Sequence, residues 1–185
     1  MSDNFSEQDL IQQAQANPQN FQYLYPRYVQ QVYSYISYKV GRQQDVEDLV
    51  SETFLRALEN IYTFEYRGEL SFKAWLISIA RNVTREFYRK RPPEAMSLDE
   101  MSLVQEVNYD DHLIRHQKFK QIYAILQTLA PRRREIILMK YYGGLRNHEI
   151  ASLLGIKERT VSSQLSRALT ELQAIYNITI AKDFR

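Results

Sequence analysis

The chain has 185 residues and a formal net charge of +2, from 24 Lys+Arg against 22 Asp+Glu. With 44% apolar and 25% charged residues, its composition is that of an ordinary globular protein of one domain or two small ones. No apolar run approaches the ~20 residues of a membrane helix, the first residues lack the basic and apolar regions of a signal peptide, and there is no cysteine. Neither membrane insertion nor export is expected, a cytoplasmic location is, and disulfides, thiolate nucleophiles and Cys-based zinc sites are excluded.

Apolar residues at spacings of three and four predict helices over residues 6–16, 18–40, 45–62 and 71–91. Residues 92–112 begin Pro92-Pro93, hold six acids and no Lys or Arg, and carry no sustained apolar stripe. Pro-Pro stops the preceding helix, and the stretch reads as an acidic linker. Helices follow near 113–129, 132–142, 147–154 and 158–176, with Pro131 suited to a first turn and Gly143-Gly144 and Gly155 to helix ends. The expected fold is all-α, with two helical domains (1–91 and 113–185) joined by the linker. Five Gly and five Pro argue against a turn-rich β fold.

Charge is segregated along this plan. Residues 1–66 are net −5, 67–91 net +5, 92–112 net −6 and 113–185 net +8. Two basic blocks separated by an acidic stretch suggest two polyanion-binding surfaces and a tether. The alternative is solvated helix faces, so placement on the helices has to decide.

On the 45–62 helix, Val46, Leu49, Val50, Thr53 and Ala57 share one face. Asp48, Glu52, Glu59 and Leu55 share the other, with Arg56 at its edge. A leucine exposed among acids suggests protein docking. On the 71–91 helix, Phe72, Trp75, Leu76, Ile79, Ala80, Val83 and Phe87 form a core stripe. Arg81, Arg85 and Arg89 lie opposite, in a ridge about 12 Å long that can track phosphates. Asn82 sits beside Trp75 at the edge of the stripe, and an amide next to an aromatic can read and stack an unpaired base.

Residues Asn147–Val161 have the layout of a helix-turn-helix. Ala151 is small where the helices cross and Gly155 permits the turn. Ile150, Leu154, Ile156, Val161 and Leu165 would form the shared core. Arg159, Thr160, Ser162, Ser163, Gln164 and Arg167 project as donors for phosphates and base edges in a major groove. Arg132, Arg133 and Arg134 open the preceding helix, where they oppose its dipole and would be explained by an external anion. Six of the 14 tyrosines fall between Tyr23 and Tyr38 and read as core and interface packing.

Asp45–Ala57, Phe72–Asn82, Leu129–Tyr142 and the helix-turn-helix together resemble the extracytoplasmic-function (ECF) sigma factors, the smallest members of the sigma-70 family. The resemblance runs from about Glu7 to Leu172. It implies that Asp48, Glu52, Leu55 and Arg56 dock on the β′ clamp helices of core RNA polymerase. It implies that Arg67 in a loop, with Phe72, Trp75, Arg81, Asn82, Arg85 and Arg89, opens and grips the minus-10 element of promoter DNA. Arg159, Thr160, Ser162, Ser163, Gln164 and Arg167 would read the minus-35 element. The polymerase β flap and an anti-sigma factor are the further partners implied, and the linker would thread toward the polymerase active centre. Ser162, Gln164 and Ser78 stand where relatives often carry basic residues. Lys157 and Arg146 stand where a cap often sits, with Asn147 a possible substitute for the earlier one, and loss of a cap costs about 0.5–2 kcal/mol.

No cofactor or metal site is expected, since the three histidines are scattered. His148-Glu149 lacks a second histidine at metal spacing and no Gly-rich phosphate loop is present, so catalysis is not expected either. The rival readings are a stand-alone helix-turn-helix regulator and a sigma-like module that holds polymerase without starting transcription.

Overall fold

The computed structural model describes residues 6–66, 70–90 and 109–183. Helices α1 (Glu7–Ala16), α2 (Tyr25–Val40), α3 (Gln43–Asn60) and α4 (Phe72–Lys90) form an N-terminal group. Helices α5 (Tyr109–Thr128), α6 (Pro131–Ile137), α7 (Asn147–Leu154) and α8 (Glu158–Asp183) form a C-terminal one. There is no β-strand among the described residues, and none of their helices is long and apolar enough to cross a membrane.

The faces expected from the sequence are buried. Val46, Leu49, Val50, Thr53 and Ala57 of α3 pack inward, as do Phe72, Leu76, Ala80 and Val83 of α4. Phe72 is fully buried, with its ring 5.1–5.3 Å from those of Tyr28, Phe64 and Trp75. It therefore builds the core and cannot touch DNA in this arrangement. Ser71 caps α4 by accepting the Ala74 N–H at 3.2 Å.

Three boundaries differ from the sequence expectation. The 18–40 segment is not one helix: Pro18–Tyr23 is a 3₁₀ turn, and α2 starts afresh at Tyr25. Pro26 has no N–H to give and its ring blocks the preceding turn, so it can only sit at a helix start. Helix α5 begins at Tyr109 and so takes in the last four residues assigned to the linker. The remainder of the linker, and Arg67, lie outside the described residues. Past α6 the helix widens into a π turn, Leu138–Tyr142, closed by Gly143 N–H donating to the Leu138 carbonyl at 2.8 Å.

The turn between α7 and α8 is the one expected. Gly155 adopts φ +63°, the left-handed region open to glycine, and Ile156 N–H donates back to the Ala151 carbonyl at 3.0 Å. Ile150 and Val161 are fully buried across it, and Leu165 nearly so. Asn147 does not cap α7, because its amide donates to Ser162 Oγ at 3.2 Å. Instead Glu149 reaches back to the Arg146 N–H at 2.7 Å.

The two groups of helices are not independent bodies on a tether; they share one continuous core. Tyr38 of α2 stacks on Tyr142 with centroids 3.8 Å apart and lies 4.7 Å from Phe119 of α5. Ile77 of α4 and Met139 of the π turn are fully buried. A Cβ on Gly143 would stand 2.9 Å from the carbonyl oxygen of Met139 in its own turn, which leaves no room for a side chain, and 3.4 Å from Ile77 of α4, which lies in van der Waals contact. The tyrosine cluster splits by position: Tyr28 and Tyr35 are core, Tyr38 faces the C-terminal group, and Tyr23 and Tyr25 stay exposed.

Two carboxylates cross the same boundary. Glu135 of α6 accepts from Tyr35 Oη at 2.6 Å and from Lys39 Nζ at 2.5 Å, and its other contact is Arg81 Nε at 3.3 Å. Burial pushes its carboxyl up, but Lys39, Tyr35 and Arg81 outweigh burial and hold it below the usual carboxylate value. Burial pulls the Lys39 ammonium down, with Glu135 opposing. Glu149 accepts from both the hydroxyl and the backbone N–H of Ser71, and so ties the start of α7 to the start of α4. Burial raises its carboxyl too, and the Ser71 and Arg146 hydrogen bonds with nearby Lys73 bring it below the usual value.

Truncation of Phe72 to Ala should remove the hub of the aromatic core and cost about 3–5 kcal/mol of stability. Denaturant unfolding of the variant beside the wild type checks this; a loss below about 1 kcal/mol would contradict the packing described.

Candidate nucleic-acid and protein interfaces

Helix α4 presents a cleft of about 660 Å³ toward the end of α3. Trp75, Asn82, Arg85 and Arg89 converge on it from α4, and Arg56 and Asn60 from α3. Asn82, Arg85 and Arg89 are exposed. Trp75 is half-buried, with its ring 5.2 Å from Phe64, which fixes its plane and leaves an edge to the cleft. Ser78 also lines the cleft, its hydroxyl donating to the Trp75 carbonyl at 2.6 Å. The arrangement combines an aromatic edge, an amide and two guanidinium groups, the chemistry that accepts an unpaired base on a phosphodiester strand.

Arg81 does not join the cleft. The ridge read from the sequence divides, with Arg85 and Arg89 facing outward and Arg81 turned to Glu135. The cause lies outside the helix: a carboxylate from α6 occupies the space beside it.

On α3, Asp48 and Leu55 are exposed and Glu52 is half-buried; Leu55 keeps 52% of its surface. Arg56 is not part of that face alone. Its Nε donates to Glu52 at 2.6 Å, and its two terminal nitrogens grip Glu86 of α4 at 3.1 and 2.9 Å. The guanidinium beside Glu86 holds that carboxyl below its usual value. Arg56 thus rivets α3 to α4 and forms one wall of the cleft. Glu86 was not among the residues singled out by the sequence, because its partner lies 30 residues away.

On α8, Arg159, Thr160, Ser162, Ser163 and Arg167 are exposed and Gln164 is half-buried. Two of these have internal partners. Ser162 accepts from Asn147, and Gln164 accepts from Arg133 Nε at 3.3 Å. Arg133 also pairs with Glu171, Arg132 donates to the Leu154 carbonyl at 3.2 Å, and Arg134 reaches Gln127 and the Leu129 carbonyl. The three arginines therefore find their acceptors within the fold. The carbonyls ending α7 and α5 carry partial negative charge and receive Arg132 and Arg134, and Glu171 receives Arg133, so each cation that the dipole of α6 would disfavour has a local acceptor.

An apolar groove of about 500 Å³ runs between α5, the π turn and α8, lined by Ile122, Ile125, Tyr141, Leu169, Leu172 and Tyr176 among others. Tyr141 and Tyr176 each expose 56% of their surface and Leu169 43%. The sequence reading did not single out this groove. The available signal was a surplus: Leu169, Leu172 and Tyr176 extend the stripe of α8 past the residues needed to cover α7. No group of acidic or histidine side chains among the described residues could hold a metal ion.

Comparison with known proteins gives the same architecture. The family profile for sigma-70 region 2 matches residues 24–92 and that for sigma-70 region 4 matches residues 119–172. The chain is 34% identical over 175 residues to the ECF RNA polymerase sigma factor BldN of Streptomyces coelicolor, covering 92% of this chain and 66% of that longer protein. It is 30% identical to SigX of Bacillus subtilis, over 84% of this chain and 82% of SigX. It is 33% identical to EcfG of Rhodopseudomonas palustris, over 78% of each. Among solved structures, CnrH in complex with the cytosolic domain of CnrY superposes with a TM-score of 0.71 at 24% identity, covering 91% of this chain and 96% of that one. The α2–α4 helices thus correspond to region 2 and α5–α8 to region 4, and the chain belongs to the ECF sigma factors of the sigma-70 family, which act in transcription initiation.

Proposed function

We propose that the chain joins core RNA polymerase, places it on promoters bearing a particular minus-10 and minus-35 pair, and helps open the duplex at the first. The observation that carries this is the cleft on α4, where Trp75, Asn82, Arg85 and Arg89 meet. A base flipped out of the minus-10 element would lie against the Trp75 edge with its polar edge toward Asn82. Arg85 and Arg89 would hold the adjoining phosphates, and Arg67 is the further basic residue assigned to this element. Unstacking a base costs a few kcal/mol, which stacking on an aromatic side chain, worth about 1–3 kcal/mol per base, can offset.

Region 4 supplies the second reading head. Arg159, Thr160, Ser163 and Arg167 stand free on the recognition helix for the minus-35 major groove. Ser162 and Gln164, tied to Asn147 and Arg133, set its backbone register more than its base preference. Docking on the β′ clamp helices falls to Asp48, Glu52 and Leu55, with Arg56 keeping α3 and α4 in one piece. The apolar groove beside Leu169 suits an apolar segment of the β flap. A regulator of the anti-sigma class is the remaining partner; the sigma factor RpoE of Bartonella quintana is one solved relative that carries such a partner, NepR. The chain carries out no chemistry of its own in this reading and acts in the cytoplasm, where polymerase is.

Run-off transcription with purified core polymerase tests the reading directly. Specific transcripts should appear only when the chain is added. Trp75→Ala and Asn82→Ala should each cut them at least tenfold on duplex promoters, with core binding unchanged. On templates already mispaired across the minus-10 element the loss should shrink, because unpairing no longer has to be offset; equal losses on both templates would count against base capture. Leu169→Glu in the groove should weaken binding to an isolated β flap fragment more than tenfold. It should leave single-strand minus-10 binding untouched, which fluorescence anisotropy of both ligands can report.

A further inference from the structure

A polar cavity of about 370 Å³ opens where the starts of α1, α4 and α7 meet the segment ending at Tyr66. Lys73 lines it from α4, Arg146 and His148 from the start of α7, and Glu7, Tyr28 and Tyr66 from the opposite side. Pockets that hold small ligands begin at about 300 Å³, so the space admits a small molecule. Lys73 reaches across to the turn before α7: its Nζ lies 3.4 Å from where a Cβ on Gly144 would stand, two positions before Arg146.

The acids of the cavity are already satisfied. Glu7 accepts from Tyr28 Oη on one oxygen and from Tyr66 Oη, at 2.6 Å, on the other. Glu149 accepts from the hydroxyl and N–H of Ser71 and from the Arg146 N–H. The bases are not satisfied. Among the described residues, Lys73 Nζ, the Arg146 guanidinium and the His148 ring have no acceptor. Glu149 offsets the Lys73 charge at a distance but leaves all of their donors free. All three sit at the starts of α4 and α7, where the positive end of a helix dipole disfavours cations. Arg132, Arg133 and Arg134 meet the same conflict at α6 and resolve it with acceptors from neighbouring elements. Here the fold supplies none, and an anion from outside would resolve it.

We propose that this cavity is a nucleotide-binding site, in which Lys73, Arg146 and His148 hold the phosphates and the nucleoside lies toward Glu7 and Tyr66. Phosphate oxygens take strong charge-assisted hydrogen bonds from an ammonium and paired ones from a guanidinium. The positive ends of α4 and α7 add to the attraction. At the other end, each Glu7 oxygen has accepted one bond and keeps a lone pair for a sugar hydroxyl. Tyr66 exposes 43% of its surface, and a base can stack on its ring. An apolar ligand would leave the three bases without acceptors, and a bare phosphate would leave the Glu7 and Tyr66 end unused. The inference does not rest on the function proposed above. Binding belongs to the free chain, with neither polymerase nor DNA, and the cavity shares no residue with the cleft on α4.

Isothermal titration calorimetry of the full chain tests this with adenosine and guanosine diphosphates, beside adenosine and inorganic pyrophosphate. At least one of the nucleotides should bind, at least tenfold more tightly than pyrophosphate, and adenosine should give no measurable heat. Lys73→Gln and Arg146→Gln should each weaken the nucleotide at least tenfold; neither side chain makes an internal hydrogen bond, so both variants keep the fold. Tyr66→Leu should weaken the nucleotide and leave the pyrophosphate affinity unchanged. Arg85→Gln, in the cleft on α4, should leave nucleotide binding as it is. No heat with either nucleotide, or pyrophosphate bound as tightly as both, would overturn the site. So would binding that survives Lys73→Gln and Arg146→Gln but is lost in Arg85→Gln, which would put the nucleotide on the DNA-binding cleft instead.

Discussion

A carboxylate taken out of water has to be paired, and the way this chain meets that demand at Glu135 and Glu149 sets the relation between its two halves. Neither residue is satisfied within its own helix group. Glu135 takes a phenol, an ammonium and a guanidinium from region 2. Glu149 takes the capping serine of α4 while also closing the first turn of α7. Buried pairs of this kind add little net stability, because desolvation consumes most of the Coulomb gain, but losing one partner is expensive. They act as register marks: apolar surfaces can slide, whereas a carboxylate with three fixed donors accepts one position.

Helix α4 is where the consequences meet. Its apolar face carries Phe72, Leu76, Ala80 and Val83 into the region 2 core. Its N-terminus is held through Ser71 by α7. One flank, at Ile77 and Arg81, abuts region 4, while the opposite flank opens the cleft of Trp75, Asn82, Arg85 and Arg89. Arg56 braces that cleft by gripping Glu86, so α3 and α4 are held as one unit.

What the sequence made legible was whatever repeats within one helix. The buried stripe of α3, that of α4, the crossing at Ala151 and the turn at Gly155 all follow from spacing and from the one residue that tolerates a positive φ. The pairing of Trp75 with Asn82 was legible for the same reason, since three- and four-residue spacing puts them side by side. Partners distant in the chain were not legible. Arg81 and Arg85 are indistinguishable on a helical wheel, and only a carboxylate 54 positions away separates their roles. Arg132, Arg133 and Arg134 looked like an anion site because what receives them, the carbonyl ends of α7 and α5 for Arg132 and Arg134 and the Gln164 and Glu171 side chains of α8 for Arg133, lies outside their own helix and has no local sequence signature. The π turn escaped because it differs from an α-helix by one hydrogen-bond step, and Pro26 broke a helix whose apolar period continues across it.

The composition of the boundary between regions 2 and 4 bears on how it can function. A purely aliphatic contact would tolerate sliding, because apolar burial has no direction. Here the centre of the contact is a cluster in which Lys39 and Arg81 share the Glu135 carboxylate, beside Tyr35, whose buried hydroxyl donates to the same group. The apolar rim of Ile77, Met139 and the Tyr38–Tyr142 stack supplies the burial that holds the contact together. The carboxylate meets all three partners in only one placement of α6 against α2 and α4, so the polar centre selects the arrangement that the apolar rim stabilises.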